Sequence, residues 1–263
     1  MGLMGSLIGG AVGFALGGPL GAVAGAVFGG MTGQRTRPMT GHERSQATYF
    51  ISVFSMLAKM ARADGVVTQQ EIDLVRAAMR GEMQLDDRSE KAAIKIFQAA
   101  KESPIGFEAF AQQFADTFSD DPEVVHSMLD LLTRLAMADG ELHPGERRLL
   151  ERAVGIFRLD PRRAQHIFAQ HGAMGAKSRG GAGSGARPSR APAARKASYD
   201  VLGVDADASD TQIRSSYRKL VSEFHPDKII AKGLPDEFVK FAETRFREIQ
   251  EAYEEIKRER GMP

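Results

Sequence analysis

Ser209-Asp210-Thr211-Gln212-Ile213-Arg214-Ser215-Ser216-Tyr217-Arg218-Lys219-Leu220-Val221-Ser222-Glu223-Phe224-His225-Pro226-Asp227-Lys228 is the stretch that decides how this chain folds. Ser209 and Gln212 form a capping box, in which hydroxyl and amide each satisfy an orphan backbone N–H of the other, so a helix starts here. Ile213, Tyr217, Leu220 and Phe224 step by four, three and four and make one apolar face. Arg214, Arg218 and Lys219 lie off that face and give the helix a basic exposed side. Pro226 ends the helix, because its ring pushes His225 towards extended backbone. A loop through Gly233 follows, and Pro235-Asp236-Glu237 opens a long helix with proline and acids in its first turn. Phe238, Phe241, Phe246, Ile249, Ala252, Tyr253 and Ile256 line its buried side. The expected unit is an antiparallel helical hairpin with His225-Pro226-Asp227 exposed at its tip.

Upstream, Tyr199-Asp200-Val201-Leu202-Gly203-Val204 opens a short helical segment. That segment, Tyr217-Arg218-Lys219-Leu220, His225-Pro226-Asp227-Lys228 and Glu248-Ile249-x-x-Ala252-Tyr253 stand in the order and separation of the J-domain family, which residues 198–263 resemble from end to end. The resemblance implies a partner, a DnaK-type chaperone whose ATP hydrolysis the J domain stimulates. It implies that Arg214, Arg218, Lys219 and Lys228 steer the encounter, that Asp227 accepts from a partner arginine, that Pro226 fixes the loop and that His225 supplies ring contacts and hydrogen bonds. The J domain itself hydrolyses nothing, so no catalytic residue is expected. No Gly/Phe-rich segment follows the domain, and without cysteine there is no zinc-binding substrate module, so general client holding is not implied.

Residues 172–197 carry Gly, Ala, Ser, Pro and basic residues with no acid and no apolar periodicity, which predicts a flexible basic linker. Residues 42–171 read as all helix. Phe50, Phe54, Leu57 and Ala61, and again Leu129, Leu132, Leu135 and Ala136, follow helical spacing, and Asp-Pro at 121–122 and 160–161 marks helix starts. An internal repeat is visible: Met60-Ala61-Arg62-Ala63-Asp64-Gly65 aligns with Leu135-Ala136-Met137-Ala138-Asp139-Gly140, and Glu71 with Glu146. The second helix of each copy starts on a cap, Thr68-x-x-Glu71 in one and His143-Pro144-Gly145-Glu146 in the other. Gly65 and Glu71 have the spacing of a calcium loop, but the first ligand positions would be Met60 and Arg62, which cannot ligate calcium. The repeats resemble the TerB-like family, in which acidic turns of this kind are associated with metal; that implies Asp64, Glu71, Asp139 and Glu146 as metal ligands. Closing turns and capping helices is the other role open to the same carboxylates.

From Met1 to Gln34 there is no Asp, Glu, Lys or Arg. Gly5, Gly9, Gly13, Gly17, Gly21, Gly25, Gly29 and Gly33 fall at every fourth position. The uncharged length exceeds the roughly 20 residues of a spanning helix, and the glycine spacing makes a groove in which a second helix packs closely. Residues 1–34 are therefore expected to be a single transmembrane helix, kinked at Pro19, that pairs two copies into a homodimer. A cleaved signal peptide, a re-entrant hairpin broken at Gly17-Gly18-Pro19 and a disordered tail stand beside that reading. Arg35, Arg37 and Arg44 follow the segment, which puts the bulk of the chain on the cytoplasmic side of a bacterial inner membrane, with the N-terminus outside.

The loop Ala231-Lys232-Gly233-Leu234-Pro235 resembles that of the DjlA-type subgroup, which joins a membrane span, a TerB-like domain and a terminal J domain. The expectation for the 263 residues is thus an all-α, membrane-anchored co-chaperone acting in protein folding and the stress response. A membrane signalling scaffold or a metal-responsive sensor acting through the TerB-like domain is the alternative. A net charge of +1 gives no electrostatic reason for a nucleic-acid partner. With no cysteine, disulfides and thiol chemistry are excluded, and no cofactor is expected.

Overall fold

Thr40 starts the helix around which the middle domain is built. Its hydroxyl accepts from the Glu43 amide at 3.2 Å, and the Glu43 carboxylate accepts from the Thr40 amide at 2.9 Å, closing a capping box. The helix that follows, α2 (Gly41–Ala61), is buried along nearly all of 47–58, including Tyr49, Phe50, Ile51, Phe54 and Met56. A helix that is apolar all round must be surrounded. Here α1 (Gly18–Phe28), α3 (Asp87–Glu102), α4 (Phe107–Thr117), α5 (Pro122–Ala136) and α6 (Pro144–Ile156) surround it, and α7 (Pro161–Gln170) packs on α5. A computed structural model describes residues 17–28, 39–63, 76–77, 80–81, 83–138, 140–171 and 198–262. Proline takes the first position of α5, α6 and α7, where its missing N–H costs nothing. The Asp160 carboxylate caps α7 by accepting from the Arg162 amide at 2.9 Å.

The C-terminal unit opens with a helical turn at 198–202. It continues with α8 (Asp210–Glu223), a short α9 (Pro226–Ala231) and the long α10 (Asp236–Arg260). The Ser209–Gln212 capping box is present. Ile213, Phe224, Ile229, Phe238, Phe241, Ile249 and Ile256 are buried between these helices and against the middle domain. Tyr217 of α8 stacks on Tyr253 of α10 with ring centroids 3.9 Å apart. Arg260 ties the end of α10 back to the start of the unit, donating to the Tyr199 hydroxyl at 2.8 Å and to the carbonyls of Ala206 and Ala208.

Helix α1 corrects the expectation of a membrane anchor over 1–34. It has 11 residues, about 16 Å at 1.5 Å per residue, against a hydrocarbon core of about 30 Å. Among the described residues, no helix is long and apolar enough to cross a membrane. Leu20, Gly21, Val23, Ala24 and Phe28 are buried as α1 packs on α2, α3 and α4. Gln113 of α4 holds its first turn: the amide oxygen accepts from the Leu20 N–H at 2.8 Å and the amide nitrogen donates to the Gly17 carbonyl at 3.1 Å. With the span fall the inner-membrane topology, the membrane as a partner and a homodimer formed through a transmembrane glycine groove. Gly21 is buried within its own chain; Gly5, Gly9, Gly13, Gly29 and Gly33 lie outside the described residues. The linker over 172–197 also lies outside them.

Candidate functional site

Phe224 ends α8, and the backbone then turns at the pre-proline residue. His225 has φ −66° and ψ 121°, the extended geometry that the following ring enforces. The tripeptide differs from the expected loop in one respect. Pro226 occupies the first position of α9, and the His225 ring caps that helix, its Nδ1 accepting from the Asp227 amide at 3.2 Å. Proline at a first helical position is preset for it, so the same residue that stops α8 starts α9. The His225 ring also lies edge-on to Phe246 of α10, with centroids 5.6 Å apart. Its orientation is therefore fixed from two sides while its side chain is 41% exposed. The Asp227 carboxylate is 89% exposed, 4.0 Å from His225 Nδ1.

The basic residues differ in their freedom. Arg218 and Lys219 are exposed on α8, and Arg214 is half-buried beside them. Partial burial and the nearby Arg163 guanidinium hold the Lys219 ammonium below its ordinary range. The Lys228 ammonium donates to the Ser222 hydroxyl at 2.5 Å and lies 3.6 Å from the Glu123 carboxylate of α5.

That last contact belongs to an interface that sequence reading missed, in which the C-terminal unit is seated on the middle domain. Phe238 of α10 lies against Tyr49 of α2, ring centroids 4.5 Å apart. The Ser89 hydroxyl donates to the Glu237 carboxylate at 2.6 Å. Arg245 of α10, 3% exposed, places Nε 3.0 Å from the equally buried Asp130 carboxylate of α5, and His171 Nε2 lies 2.8 Å from the same group. Burial alone would raise the Asp130 carboxyl, but Arg245 and His171 outweigh it and hold the group well below the usual carboxylate range. Arg134 grips Glu248 with two bonds of 3.0 and 2.7 Å, a fork that matches a carboxylate. Arg163 of α7 pairs with the buried Glu223 at the end of α8.

Of the four acidic residues implied as metal ligands, Asp64, Glu71 and Asp139 lie outside the described residues, as does the cap expected at Thr68. The Glu146 carboxylate accepts from the His143 amide at 3.1 Å at the start of α6. Among the described residues, no group of three or more His, Asp or Glu side chains could hold a metal.

The family described as Tellurite resistance protein TerB matches residues 50–169, and the family described as DnaJ domain matches residues 197–260. The chain is 33% identical over 234 residues to Co-chaperone protein DjlA of Vibrio vulnificus (strain YJ016), covering 82% of this chain and 80% of that protein. It is 34% identical over 227 residues to Co-chaperone protein DjlA of Vibrio cholerae, covering 82% and 80%. To Co-chaperone protein DjlA of Yersinia pestis it is also 34% identical over 227 residues, covering 82% and 81%. No solved structure matches the chain. All three relatives are co-chaperones by name. With a TerB match followed by a DnaJ match, and relatives above 30% identity over four fifths of its length, the chain belongs to the DjlA family of co-chaperones.

Proposed function

We propose that this chain is a co-chaperone that binds a DnaK-type chaperone through its J domain and stimulates the chaperone's ATP hydrolysis. One observation carries the reading: His225-Pro226-Asp227 is rigid and exposed together. The ring is held by Phe246 and by the Asp227 amide, and the Asp227 carboxylate points into solvent. A preorganised turn loses little entropy on docking, so its contacts go into binding. Asp227 is the acceptor for a partner guanidinium, and His225 adds a ring face and an open nitrogen. Arg214, Arg218, Lys219 and Lys228 form the basic approach surface, which attracts an acidic partner at long range. Stimulation follows if these contacts are stronger in the hydrolysis-competent state of the chaperone than in its resting state. His225→Gln tests the reading. The variant is expected to keep the helical content of the parent and to lose stimulation of a purified DnaK-type ATPase. Stimulation at the parent level would rule this function out.

A further inference from the structure

The segment 226–235 carries more than the proposed chaperone contacts. Gly233 has φ +69°, and a Cβ added there would lie 2.3 Å from the His42 Nδ1 of α2. The positive φ favours glycine at this position, and any larger residue would also have to push the His42 ring aside. Leu234 and Pro235 are buried, and the Gln46 amide donates to the Leu234 carbonyl at 3.4 Å. On the other flank the Lys232 ammonium lies 2.9 Å from Glu123 and 3.1 Å from Asp121, both at the start of α5. Glu123 is the same residue that reaches Lys228 at 3.6 Å.

Two features distinguish this outer contact from the rest of the interface. The seating of the J domain is already fixed elsewhere, by Phe238 on Tyr49 and by Arg245 on Asp130. The outer pair is also accessible: Lys228 is 48% exposed and Glu123 33%. Accessible ion pairs are weak and readily exchanged. Asp227, by contrast, is 89% exposed and open to a partner at once.

We propose that Asp121 and Glu123 form an acidic clasp that holds the 226–235 segment from within the chain and competes with the chaperone for Lys228, so that the J domain works below its full affinity while the clasp is closed. The proposal rests on the co-chaperone reading above, in which Lys228 meets an acidic partner surface. It also gives the loop at 231–235 a role, as the part of the J domain that the TerB domain grips.

The test uses the full chain and a purified DnaK-type chaperone, with Glu123→Gln and Lys232→Gln as variants. Each is expected to lower the concentration that half-saturates ATPase stimulation by about three-fold, the scale of one or two partly exposed ion pairs. Lys232→Gln is the sharper arm. It removes a positive charge from the J domain, so simple charge attraction demands weaker binding, whereas release of the clasp demands stronger binding. Half-saturation that is unchanged or raised in Lys232→Gln overturns the competition. Hydrogen exchange of the free chain over 226–235 is the second readout and needs no chaperone. Faster exchange in both variants is expected, and parental protection in both overturns the clasp itself. A chain that stimulates in no form, parent or variant, instead overturns the co-chaperone reading, and the exchange arm still judges the clasp.

Discussion

His126 and Asp130 stand one helical turn apart on α5, at the seam with the J domain, and acid reaches them in different pH windows. His126 is 8% exposed, and its Nδ1 lies 2.5 Å from the Pro122 carbonyl. Burial, with repulsion from Arg163 and Lys219 outweighing Glu123, pushes its pKa down to about 4. An unfolded histidine titrates near 6.5. Between these values the unfolded chain binds a proton that the folded chain refuses, so stability falls as pH drops through that window, by up to about 3 kcal/mol. Asp130 behaves otherwise. Its carboxyl is held well below the usual range, so its contribution is intact above about pH 4 and is lost only in stronger acid. Urea titrations between pH 7 and 4.5 should therefore show stability declining with acidification, and His126→Gln should remove about one proton's worth of that slope. An unaltered slope in the variant would assign the decline to another group. Sequence reading passed over Arg245, although a signal for it was present. Phe238, Phe241, Arg245, Ile249, Ala252 and Ile256 step by three or four along α10, so a guanidinium stands in the middle of an apolar stripe. A charge at a core position demands a buried partner. What the sequence lacks is any sign that the partner is Asp130, which lies 115 residues away.

The helices divide by how local their signals are. The starts of α5, α6, α7 and α8 could be read because proline, capping side chains and acids act within one turn. The apolar faces of α8 and α10 were equally plain. Helix α1 was misread for a physical reason: an uncharged, apolar helix is what both a membrane and a protein core select. Length separates the two: α1 begins at Gly18, just after Gly17 with φ +60°, in the Gly17-Gly18-Pro19 triplet that the sequence offered only as the break of a re-entrant hairpin. The measured consequence is direct. Leu20 is fully buried, and its backbone N–H is bonded to Gln113. Leu20→Ala should cost about 2–4 kcal/mol in urea denaturation of the detergent-free chain, the usual range for a buried leucine. A segment that served only as an external anchor would lose almost nothing. Gln113→Ala should cost about 1 kcal/mol, since it leaves the Leu20 amide without its partner. A null result for both would detach α1 from the domain.

At the scale of the whole molecule the question is whether the TerB and J domains unfold separately. The basic segment between them was expected to be a flexible linker, and the four J-domain motifs carry no sign of docking on the TerB domain. The structure joins them through apolar and ionic contacts together: Tyr49 with Phe238, Arg134 with Phe241 at 5.9 Å and with Glu248, and Arg245 with Asp130. The ionic part is the sensitive one. A buried pair adds little over an apolar pair of the same shape, but removing one member strands the other without solvent, at a cost of about 3–5 kcal/mol. Asp130 keeps His171 when Arg245 is lost, so Arg245→Ala should fall at the lower end, about 3 kcal/mol. Because that cost falls on the seam, it should also uncouple the halves. In the parent, hydrogen exchange of α5 and of the first half of α10 should be limited by one shared opening. In Arg245→Ala the α10 amides should exchange first, while α2 at the centre of the TerB domain stays protected. If α10 and α2 instead lost protection by the same factor, the two domains would form one cooperative unit that this ion pair does not divide.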